Sequence, residues 1–405
     1  MDNFKRRYII ILLGALTTLG PFSTDMYLPG FAAIAFDLGS PITYVSLSLT
    51  SYFIGIGLGQ LIYGPLLDRY GRKKPLIIGL VIYMVVAVLC GIAPSVISLI
   101  ALRFLLALGV CVCIVASRAV VSDLFPHSEM AKILSYLAII TGISPLMAPS
   151  VGGFITTYLG WRYIFFTLAL IAVAMLLAVI KILPESKIPD KSVSLKLNNV
   201  LAGYADVISR SKFLIFTVAG GFASAGMFAY IAGSPFVFMK LFNMNEGQFS
   251  IIFSINICGF ILGNQVNSLL LRKYEAYSIA FFVSYLLGAA AILMFIYYWL
   301  GLLNAVILVV FVFVFLFLTG LIFPNVTAIA LAPFYNNAGR ASALLGCLQM
   351  ILWASATVLV NIFADGTSRP MIVVMVGSAF VCIALISYYE YNLKDKITTS
   401  NSVIS

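Results

Sequence analysis

Two of the charged residues that stand inside long apolar stretches are the first candidates for chemistry. Asp25 lies near the end of an apolar run at 8–30, and Arg103 lies within the run at 95–122. A charge in a membrane core costs about 2.5–3.5 kcal/mol, so such residues are usually functional and usually paired. At about 1.5 Å per residue, both lie in the outer half of a bilayer. We predict that Asp25 exchanges a proton while Arg103 modulates its charge. A structural ion pair, or an aspartate that caps the first span, is the alternative.

The loop at 64–74, with the sequence GPLLDRYGRKK, holds a second group of candidates. Glycine without a Cβ permits a tight turn, and an aspartate accepts hydrogen bonds from a helix N-terminus and from basic residues. These properties predict a latch that stabilises one conformation and opens in another. For the basic residues, anchoring on one side of a membrane is the alternative. The conformational candidates here are Gly64, Asp68, Arg69, Gly71 and Arg72.

The stretch at 142–153 combines prolines and glycines within an apolar run. Prolines remove backbone hydrogen bonds and kink helices, and glycines let helices approach closely. The pattern predicts a helix that bends, with ordinary helix packing as the alternative. The candidates are Pro145, Pro149, Gly152 and Gly153.

Aromatic, methionine and amide side chains could line an apolar pocket with a few polar groups, as binding of amphiphiles requires. In the run at 247–271, Asn256, Gly263 and Asn267 fall on one helical face. Packing in the core or against lipid, and hydrogen bonding between helices, are the alternatives. The predicted substrate-binding residues are Met26, Tyr27, Tyr52, Phe228, Tyr230, Phe236 and Asn256.

The composition indicates that lipid surrounds these elements. Apolar residues make up 62% of the 405 residues and charged residues 9%, with a mean hydropathy of +1.10. Soluble domains carry roughly 45–50% apolar and about 25% charged residues. The chain is therefore predicted to be an all-α membrane protein. The net charge of +10 is explained by basic cytoplasmic loops rather than by nucleic-acid binding. We expect no metal site at the single His127, and the six cysteines are predicted to pack as small apolar residues.

Twelve apolar runs are each about long enough to cross a bilayer, since a span needs about 20 residues. We predict transmembrane helices at 8–30, 42–66, 75–93, 95–122, 131–158, 161–183, 212–239, 247–271, 277–298, 301–331, 338–363 and 370–390.

The basic residues predict the orientation of these helices. With the N-terminus in the cytoplasm, 19 of the 24 Lys and Arg residues fall on the cytoplasmic side and three on the other. This asymmetry places both termini inside the cell. The predicted organisation is a six-helix half at 1–183, a cytoplasmic linker at 184–211, a second six-helix half at 212–391 and a cytoplasmic tail at 392–405.

The loop at 64–74 resembles the signature G-x-L-a-D-R-x-G-R-K of the major facilitator superfamily. The run DMYLP at 25–29 is similar to that of the Bcr/CflA-type multidrug transporters, a drug:proton antiporter branch of the superfamily. Stretches at 103–123 and 219–238 also look like that branch. The stretch at 142–153 resembles the superfamily's antiporter motif, although Ala148 replaces the usual glycine. Two further departures are Leu106, where relatives often have glutamine, and Thr17, where a related branch has a second carboxylate.

The resemblance implies a major facilitator fold of twelve helices in two halves. It implies a proton-coupled antiporter in the bacterial inner membrane that exports hydrophobic or amphiphilic molecules such as antibiotics. The expected partners are a drug-like molecule, protons and lipid, with no cofactor beyond the proton gradient and a monomer sufficient for function. Export of an endogenous metabolite or siderophore, and uptake, are alternatives. No nucleophile–base pair or phosphate-binding loop in the sequence indicates an enzyme.

Overall fold

The computed structural model of the protein describes the backbone of residues 3–190 and 204–404. Part of the predicted linker, 191–203, lies outside the described residues. Side chains are described for all of these residues except 3–5, 127, 128, 131, 132, 135, 138, 335–338 and 392–404.

The described residues form thirteen α-helices with both ends described, a further helical segment at 204–208 and no β-strand. Short 3₁₀ helices lie at Leu28–Gly30 and Ala332–Asn337, and a π-helix at Pro235–Leu241 extends the eighth α-helix. The α-helices are α1 Asn3–Asp25, α2 Phe31–Asp37, α3 Ile42–Tyr70, α4 Lys73–Gly91, α5 Val96–Leu124, α6 His127–Tyr158, α7 Arg162–Ile182, α8 Ser211–Ser234, α9 Glu246–Leu270, α10 Ala276–Trp299, α11 Ala305–Leu331, α12 Ala338–Ile362 and α13 Arg369–Ile404.

Twelve helical segments of the described chain are long and apolar enough to cross a membrane, which confirms the predicted number. Their ends agree with the sequence-based bounds to within about four residues, except at the end of the first span, which is Asp37, and at the start of the fifth, which is Ile139. The last helix, α13, continues to Ile404, beyond the predicted span end at residue 390. The first span runs from Arg6 to Asp37 and contains both α1 and α2.

The first span is broken where the sequence predicts one continuous helix at 8–30. Helix α1 ends at Asp25, and a 3₁₀ turn at Leu28–Gly30 leads into α2. Pro29 explains the break, because a proline has no N–H to donate to the carbonyl four residues earlier and its ring clashes with that carbonyl. The carbonyl concerned is that of Asp25, so the chain leaves the α-helix at the predicted proton-exchange residue.

The chain forms two compact units. Unit 1 consists of Met1–Gly203 and Ile231–Ile255, and unit 2 consists of Tyr204–Tyr230 and Asn256–Ser405. This division by packing assigns 231–255 to unit 1, whereas the division predicted from the sequence keeps 212–391 together. The predicted six-plus-six organisation stays a prediction.

Glycines allow the helices of each unit to pack closely. In unit 1, a Cβ added to Gly79 of α4 would lie 2.9 Å from the Gly109 carbonyl of α5. In unit 2, a Cβ on Gly263 of α9 would lie 2.1 Å from the Phe317 carbonyl of α11. Neither position leaves room for a side chain, so backbone contact holds these helices together.

Candidate functional site

Asp25 is buried at the end of α1, with 6% of its surface accessible. Its carboxylate accepts a hydrogen bond from the Thr24 hydroxyl, Oγ1 to Oδ1, at 3.2 Å. No ion pair among the described residues involves Asp25. The predicted pair with Arg103 is therefore not formed, although both residues belong to unit 1.

Arg103 is fully buried in α5 and contacts the end of α1 in another way. Its Nη1 donates to the Ser23 carbonyl at 2.8 Å. That carbonyl is available because the Tyr27 amide, its ordinary helical donor, bonds to Thr24 instead at 3.3 Å. Arg103 thus caps the C-terminal end of α1, where a cation also favours the negative end of the helix dipole. The structure thus pairs Arg103 with the Ser23 carbonyl, whereas the sequence analysis expected Asp25 as its partner.

The guanidinium of Arg103 is held between two aromatic rings. Its Cζ lies 4.6 Å from the ring centroid of Tyr27 and 4.3 Å from that of Tyr52. Two of its nitrogens, Nε and Nη2, have no hydrogen-bond partner among the described residues. Buried donors without acceptors destabilise a fold, so stability alone does not account for an arginine at this position.

Hydroxyl groups complete the network around the break. The Ser23 hydroxyl bonds to the Tyr83 hydroxyl at 2.6 Å, and the Tyr52 hydroxyl donates to the Gly20 carbonyl at 3.0 Å. The Tyr27 hydroxyl bonds to Ser48 at 2.8 Å. Ser48 and Tyr83 were not predicted, because a single polar group in an apolar run gives no signal of its partner.

Most of the predicted substrate-binding residues are not exposed in the structure. Met26, Tyr27, Tyr52, Tyr230 and Asn256 have no accessible surface. In this structure the Tyr and Asn side chains bond to groups on neighbouring helices, because buried polar groups must find partners. In unit 2, Asn256 Nδ2 donates to the Tyr230 hydroxyl at 2.9 Å.

A second buried pair of amides also joins two helices of unit 2. Asn325 Nδ2 of α11 donates to Asn267 Oδ1 of α9 at 2.6 Å, with both residues buried. In the structure, Asn256 and Asn267 therefore form hydrogen bonds between helices, which is the alternative that the sequence analysis gave for the asparagines of α9.

Phe228 and Phe236 retain accessible surface, and Phe228 belongs to a larger aromatic group in unit 2. Its ring stacks on Trp353 of α12 with centroids 4.1 Å apart, and Phe323 of α11 lies 6.3 Å from the same indole. The Ser224 hydroxyl accepts the Trp353 Nε1 hydrogen bond at 2.7 Å and orients the indole. We call Phe228, Phe323 and Trp353 the aromatic platform. The sequence analysis missed Phe323 and Trp353.

Residues of the predicted latch form ion pairs within unit 1. Arg72 is buried and binds Asp123, at the end of α5, through Nε at 2.8 Å and Nη2 at 3.3 Å. Its Nη1 also donates to Asp68 at 3.0 Å. One guanidinium therefore joins the end of α3 to the end of α5 by charge-assisted hydrogen bonds.

The chain after α7 completes this latch. Glu185 accepts hydrogen bonds from the amides of Arg72 at 2.7 Å and Lys73 at 3.1 Å, and so caps α4. Gly71 has φ +81°, and a Cβ there would lie 2.8 Å from the Glu185 carboxylate. Lys187 Nζ donates to Asp68 at 2.6 Å. We define the latch as Asp68, Arg72, Asp123, Glu185 and Lys187.

Two of the predicted conformational residues, Gly64 and Arg69, lie beside the latch. A Cβ added to Gly64 would have no other atom within 4 Å, so this glycine faces open space. Arg69 places its guanidinium 5.9 Å from the ring centroid of Tyr70. The tight turn therefore depends on Gly71, while Gly64 meets no steric requirement in this structure.

Helix α6 contains Pro145 and Pro149 within its length, as predicted. A Cβ on Gly152 would lie 2.1 Å from the Met26 carbonyl, so α6 packs directly on the broken part of the first span. Ser250 donates to the Pro149 carbonyl at 2.9 Å, and a Cβ on Gly153 would lie 2.6 Å from the Ser250 hydroxyl. The glycines of this stretch thus allow contacts that a side chain would prevent.

Twelve apolar helices and charged side chains buried within them define a multi-pass membrane protein. A model of the Major Facilitator Superfamily matches residues 13–357, so the chain belongs to that superfamily. The chain is 32% identical over 382 residues to the "Uncharacterized MFS-type transporter YdgK" of Bacillus subtilis (strain 168). The aligned residues cover 93% of this chain and 94% of that protein.

A second relative confirms the resemblance to the drug-efflux type of the superfamily. The chain is 30% identical over 403 residues to the "Bicyclomycin resistance protein homolog" of Haemophilus influenzae, covering 98% of this chain and all of that one. The fold is similar to that in the crystal structure of a D-xylose–proton symporter, with a TM-score of 0.74 and a sequence identity of 14%. The superposition covers 94% of this chain and 96% of the symporter chain. At that identity the likeness shows the fold alone.

Proposed function

We propose that this chain is a proton-coupled antiporter that exports hydrophobic or amphiphilic small molecules, such as antibiotics, across the bacterial inner membrane. In this proposal both termini are cytoplasmic, the monomer is the working unit and the proton gradient supplies the energy. The homology to a bicyclomycin resistance protein homolog supports a drug-like substrate.

The observation that carries the proposal is the position of Asp25. It is the carboxylate buried in the first span, at the residue where α1 ends, with Thr24 as its hydrogen-bonding partner. Because no cation is paired with it among the described residues, a proton can bind the carboxylate without breaking an ion pair. A buried carboxylate that costs free energy and gains no ion pair is best explained by function.

Arg103 acts in this proposal as a positioning residue rather than as a counter-ion. It holds the Ser23 carbonyl, two residues before Asp25, and its stacking on Tyr27 fixes the chain on the other side of Asp25. A change in the conformation of the break would therefore move Asp25 and Arg103 relative to each other. That movement can couple proton binding to transport.

The aromatic platform is the best candidate for contact with the exported molecule. Phe228, Phe323 and Trp353 come from three helices of unit 2 and each retains accessible surface. Aromatic faces bind planar and apolar groups without strict demands on shape. Such a surface fits an exporter of several amphiphiles.

The test is pH-driven transport of antibiotics by reconstituted vesicles that contain wild-type protein or Asp25→Asn. We expect Asp25→Asn to abolish transport driven by a pH gradient while the protein still inserts and folds. Asp37→Asn is the matched control, because Asp37 lies at the end of the same span and pairs with Arg162 at an exposed position. Undiminished proton-driven transport by Asp25→Asn would overturn the proposal.

A deletion strain separates the proposed function from the export of a metabolite or siderophore. Increased drug sensitivity with unchanged secretion supports drug export. Unchanged sensitivity with loss of a secreted compound would favour the endogenous substrate.

A further inference from the structure

An open cavity of about 400 Å³ lies in unit 1, at the end of α3 that is opposite the latch. Its walls are the end of α2, the start of α3 and the end of the π-helix at Pro235–Leu241. Helix α3 leads from this cavity to Tyr70 beside the latch, over about 42 Å at 1.5 Å per residue. The residues that line the cavity include none of those assigned above to proton exchange, to the latch or to the aromatic platform.

Two tight turns form the rim of this cavity. At the end of α2, Gly39 has φ +58°, and the Ser40 amide donates to the Ala35 carbonyl at 2.9 Å. This pattern ends a helix and reverses the chain. On the other wall Asn243 has φ +52°, and the amide of the following residue donates to the Phe238 carbonyl at 3.0 Å. Hydrogen bonds therefore fix the backbone on both sides, so a ligand need not order a loose loop when it binds.

Three polar side chains line the cavity: Ser40, Lys240 and Asn243. None of them takes part in a hydrogen bond or an ion pair among the described residues. Lys240 and Asn243 are exposed, and the Lys240 ammonium lies 5.7 Å from the ring centroid of Phe236. The hydroxyl, the ammonium and the amide each carry a hydrogen-bond donor. The cavity thus offers donors that the protein itself does not use.

The charges around the cavity favour an anion. No acidic side chain of the described residues lines it. The carboxylate closest along the chain, that of Asp37, is paired with Arg162. Lys240 therefore keeps its positive charge without a neutralising partner. Helix α3 begins in the same wall without a side-chain cap at Pro41, so the positive end of its dipole adds to the attraction of Lys240.

Most of the remaining wall is apolar. It includes Ala32, Ala35, Phe36, Ile42 and Met239. The Phe36 ring is 91% exposed and offers its surface to a bound molecule. Burial of apolar surface favours binding in proportion to the area covered. An apolar wall beside an unpaired cation matches a molecule that joins an apolar body to a negatively charged group.

We propose that this cavity binds an amphiphilic anion, with its carboxylate, sulfonate or phosphate at Lys240 and its apolar body against Phe36 and Met239. The ammonium supplies a charge-assisted hydrogen bond to the anion. Soluble amphiphiles and anionic phospholipids share this chemistry, and the experiments below distinguish them. The inference does not depend on the proposed export function, because binding is measured without transport.

The first experiment measures binding by the purified full-length protein in nanodiscs of phosphatidylcholine. Dansylate and dansylamide share one fluorescent ring system, but only dansylate carries a negative charge. Their fluorescence rises in apolar surroundings, and empty nanodiscs give the background. We expect wild type to bind dansylate about tenfold more tightly than dansylamide, as one charge-assisted hydrogen bond provides.

Substitutions in the cavity then assign this preference to its residues. Lys240→Gln should abolish the preference and leave the affinity for dansylamide unchanged, whereas Lys240→Arg should keep most of it. Phe36→Ala should weaken the binding of both compounds by a similar factor of about five.

Lys74→Gln is the matched control, because it makes the same replacement at an exposed lysine of unit 1, at the start of α4 beside the latch. It should keep the full preference for dansylate. Equal binding of both compounds by wild type, or a preference that survives in Lys240→Gln, overturns the inference. A preference that is lost equally in Lys74→Gln would show a general effect of surface charge and overturns it too.

The second experiment identifies the source of the anion with nanodiscs that also contain phosphatidylglycerol. Dansylamide is the probe, because a neutral molecule does not respond to the charge of the membrane. Weaker dansylamide binding by wild type, but not by Lys240→Gln, supports the site and assigns it to a lipid head group. Unchanged dansylamide binding by wild type assigns the dansylate preference to soluble anions. Failure of the inference leaves the export function standing, since Asp25→Asn tests that function separately.

Discussion

The two units of the molecule bury polar groups of different kinds. In unit 1 the buried polar residues include the charged Asp25, Arg72 and Arg103. In unit 2, the buried polar side chains that the structure describes are hydroxyls and amides: Thr217, Ser224, Asn256, Asn267, Ser284, Thr319, Asn325, Gln349, Thr357 and Ser378. Amides such as Asn267 and Asn325 satisfy each other, whereas Arg103 keeps two nitrogens without partners among the described residues.

In the antiport that we propose, this difference separates two tasks. A buried charge is costly in a membrane and responds to protons and to conformation. Neutral hydrogen-bonding groups and aromatic rings bind apolar molecules and are insensitive to pH. The contrast therefore predicts that changes to the buried charges Asp25 and Arg103 of unit 1 alter coupling, while changes to the aromatic platform of unit 2 alter the choice of substrate.

The largest effect is expected from Arg103→Met. Without the guanidinium, the Ser23 carbonyl loses its donor and the break beside Asp25 is no longer held. We expect pH-driven transport to fall about 100-fold, equivalent to about 2.7 kcal/mol. The melting temperature should change by only a few degrees, because two unsatisfied buried donors are removed as well.

The matched control for Arg103→Met is Gln349→Met, which lies in unit 2. Gln349 is buried and its Nε2 has no partner among the described residues, so the same replacement removes a polar group of similar length. Transport should stay within a few-fold of wild type. An equally large loss in Gln349→Met would break the comparison between the units.

A smaller effect is expected from Trp353→Ala in the aromatic platform. The stack with Phe228 is lost, and aromatic pairs contribute about 0.5–1.5 kcal/mol. Transport of an aromatic substrate should fall about tenfold or less, with an unchanged dependence on pH. Trp299→Ala is the control, because Trp299 is 75% exposed at the end of α10 and should have no effect on transport. A changed pH dependence in Trp353→Ala would contradict the separation of tasks.

The smallest effects concern the stability of the latch. Asp123 and Arg72 are 17% and 8% exposed at the side chain, so Asp123→Asn leaves a buried guanidinium with a weaker partner. We expect a loss of about 1–3 kcal/mol in the free energy of unfolding. Lys187 and Asp68 are 37% and 42% exposed, so Lys187→Gln should cost about 1 kcal/mol or less. Thermal unfolding in detergent measures both, and a larger loss in Lys187→Gln would reverse this ranking.

Several parts of the site could be predicted from local sequence alone. Asp25 is recognised because it is a carboxylate in an apolar run. This recognition does not require knowledge of which way the helix faces. The turn at Gly71 follows from the absence of a Cβ, and the structure gives it φ +81°. The break of the first span could also have been predicted from Pro29, whose position four residues after Asp25 removes a helical hydrogen bond.

Other parts depend on contacts between distant segments. Glu185 reaches the amides of Arg72 and Lys73 from beyond α7, and no local pattern assigns a carboxylate to that helix end. Trp353 and Phe228 are far apart in the sequence and meet only through the packing of α8 and α12. The predicted pocket residues Tyr27 and Tyr52 proved to be buried, because a helical pattern does not show which face meets a neighbouring helix.

The sequence by itself determined the number of spans, the all-helical class and the positions of the charged residues. The spans and the helical class follow from the length and hydropathy of each segment. Each segment can be compared by itself with the thickness of the bilayer core. Only the tertiary structure decided that Arg103 binds the Ser23 carbonyl rather than Asp25. The reason is physical: depth along a helix follows from residue number, whereas the partner of a side chain depends on helix rotation. Rotation is fixed by close contacts such as that of Gly152 with the Met26 backbone.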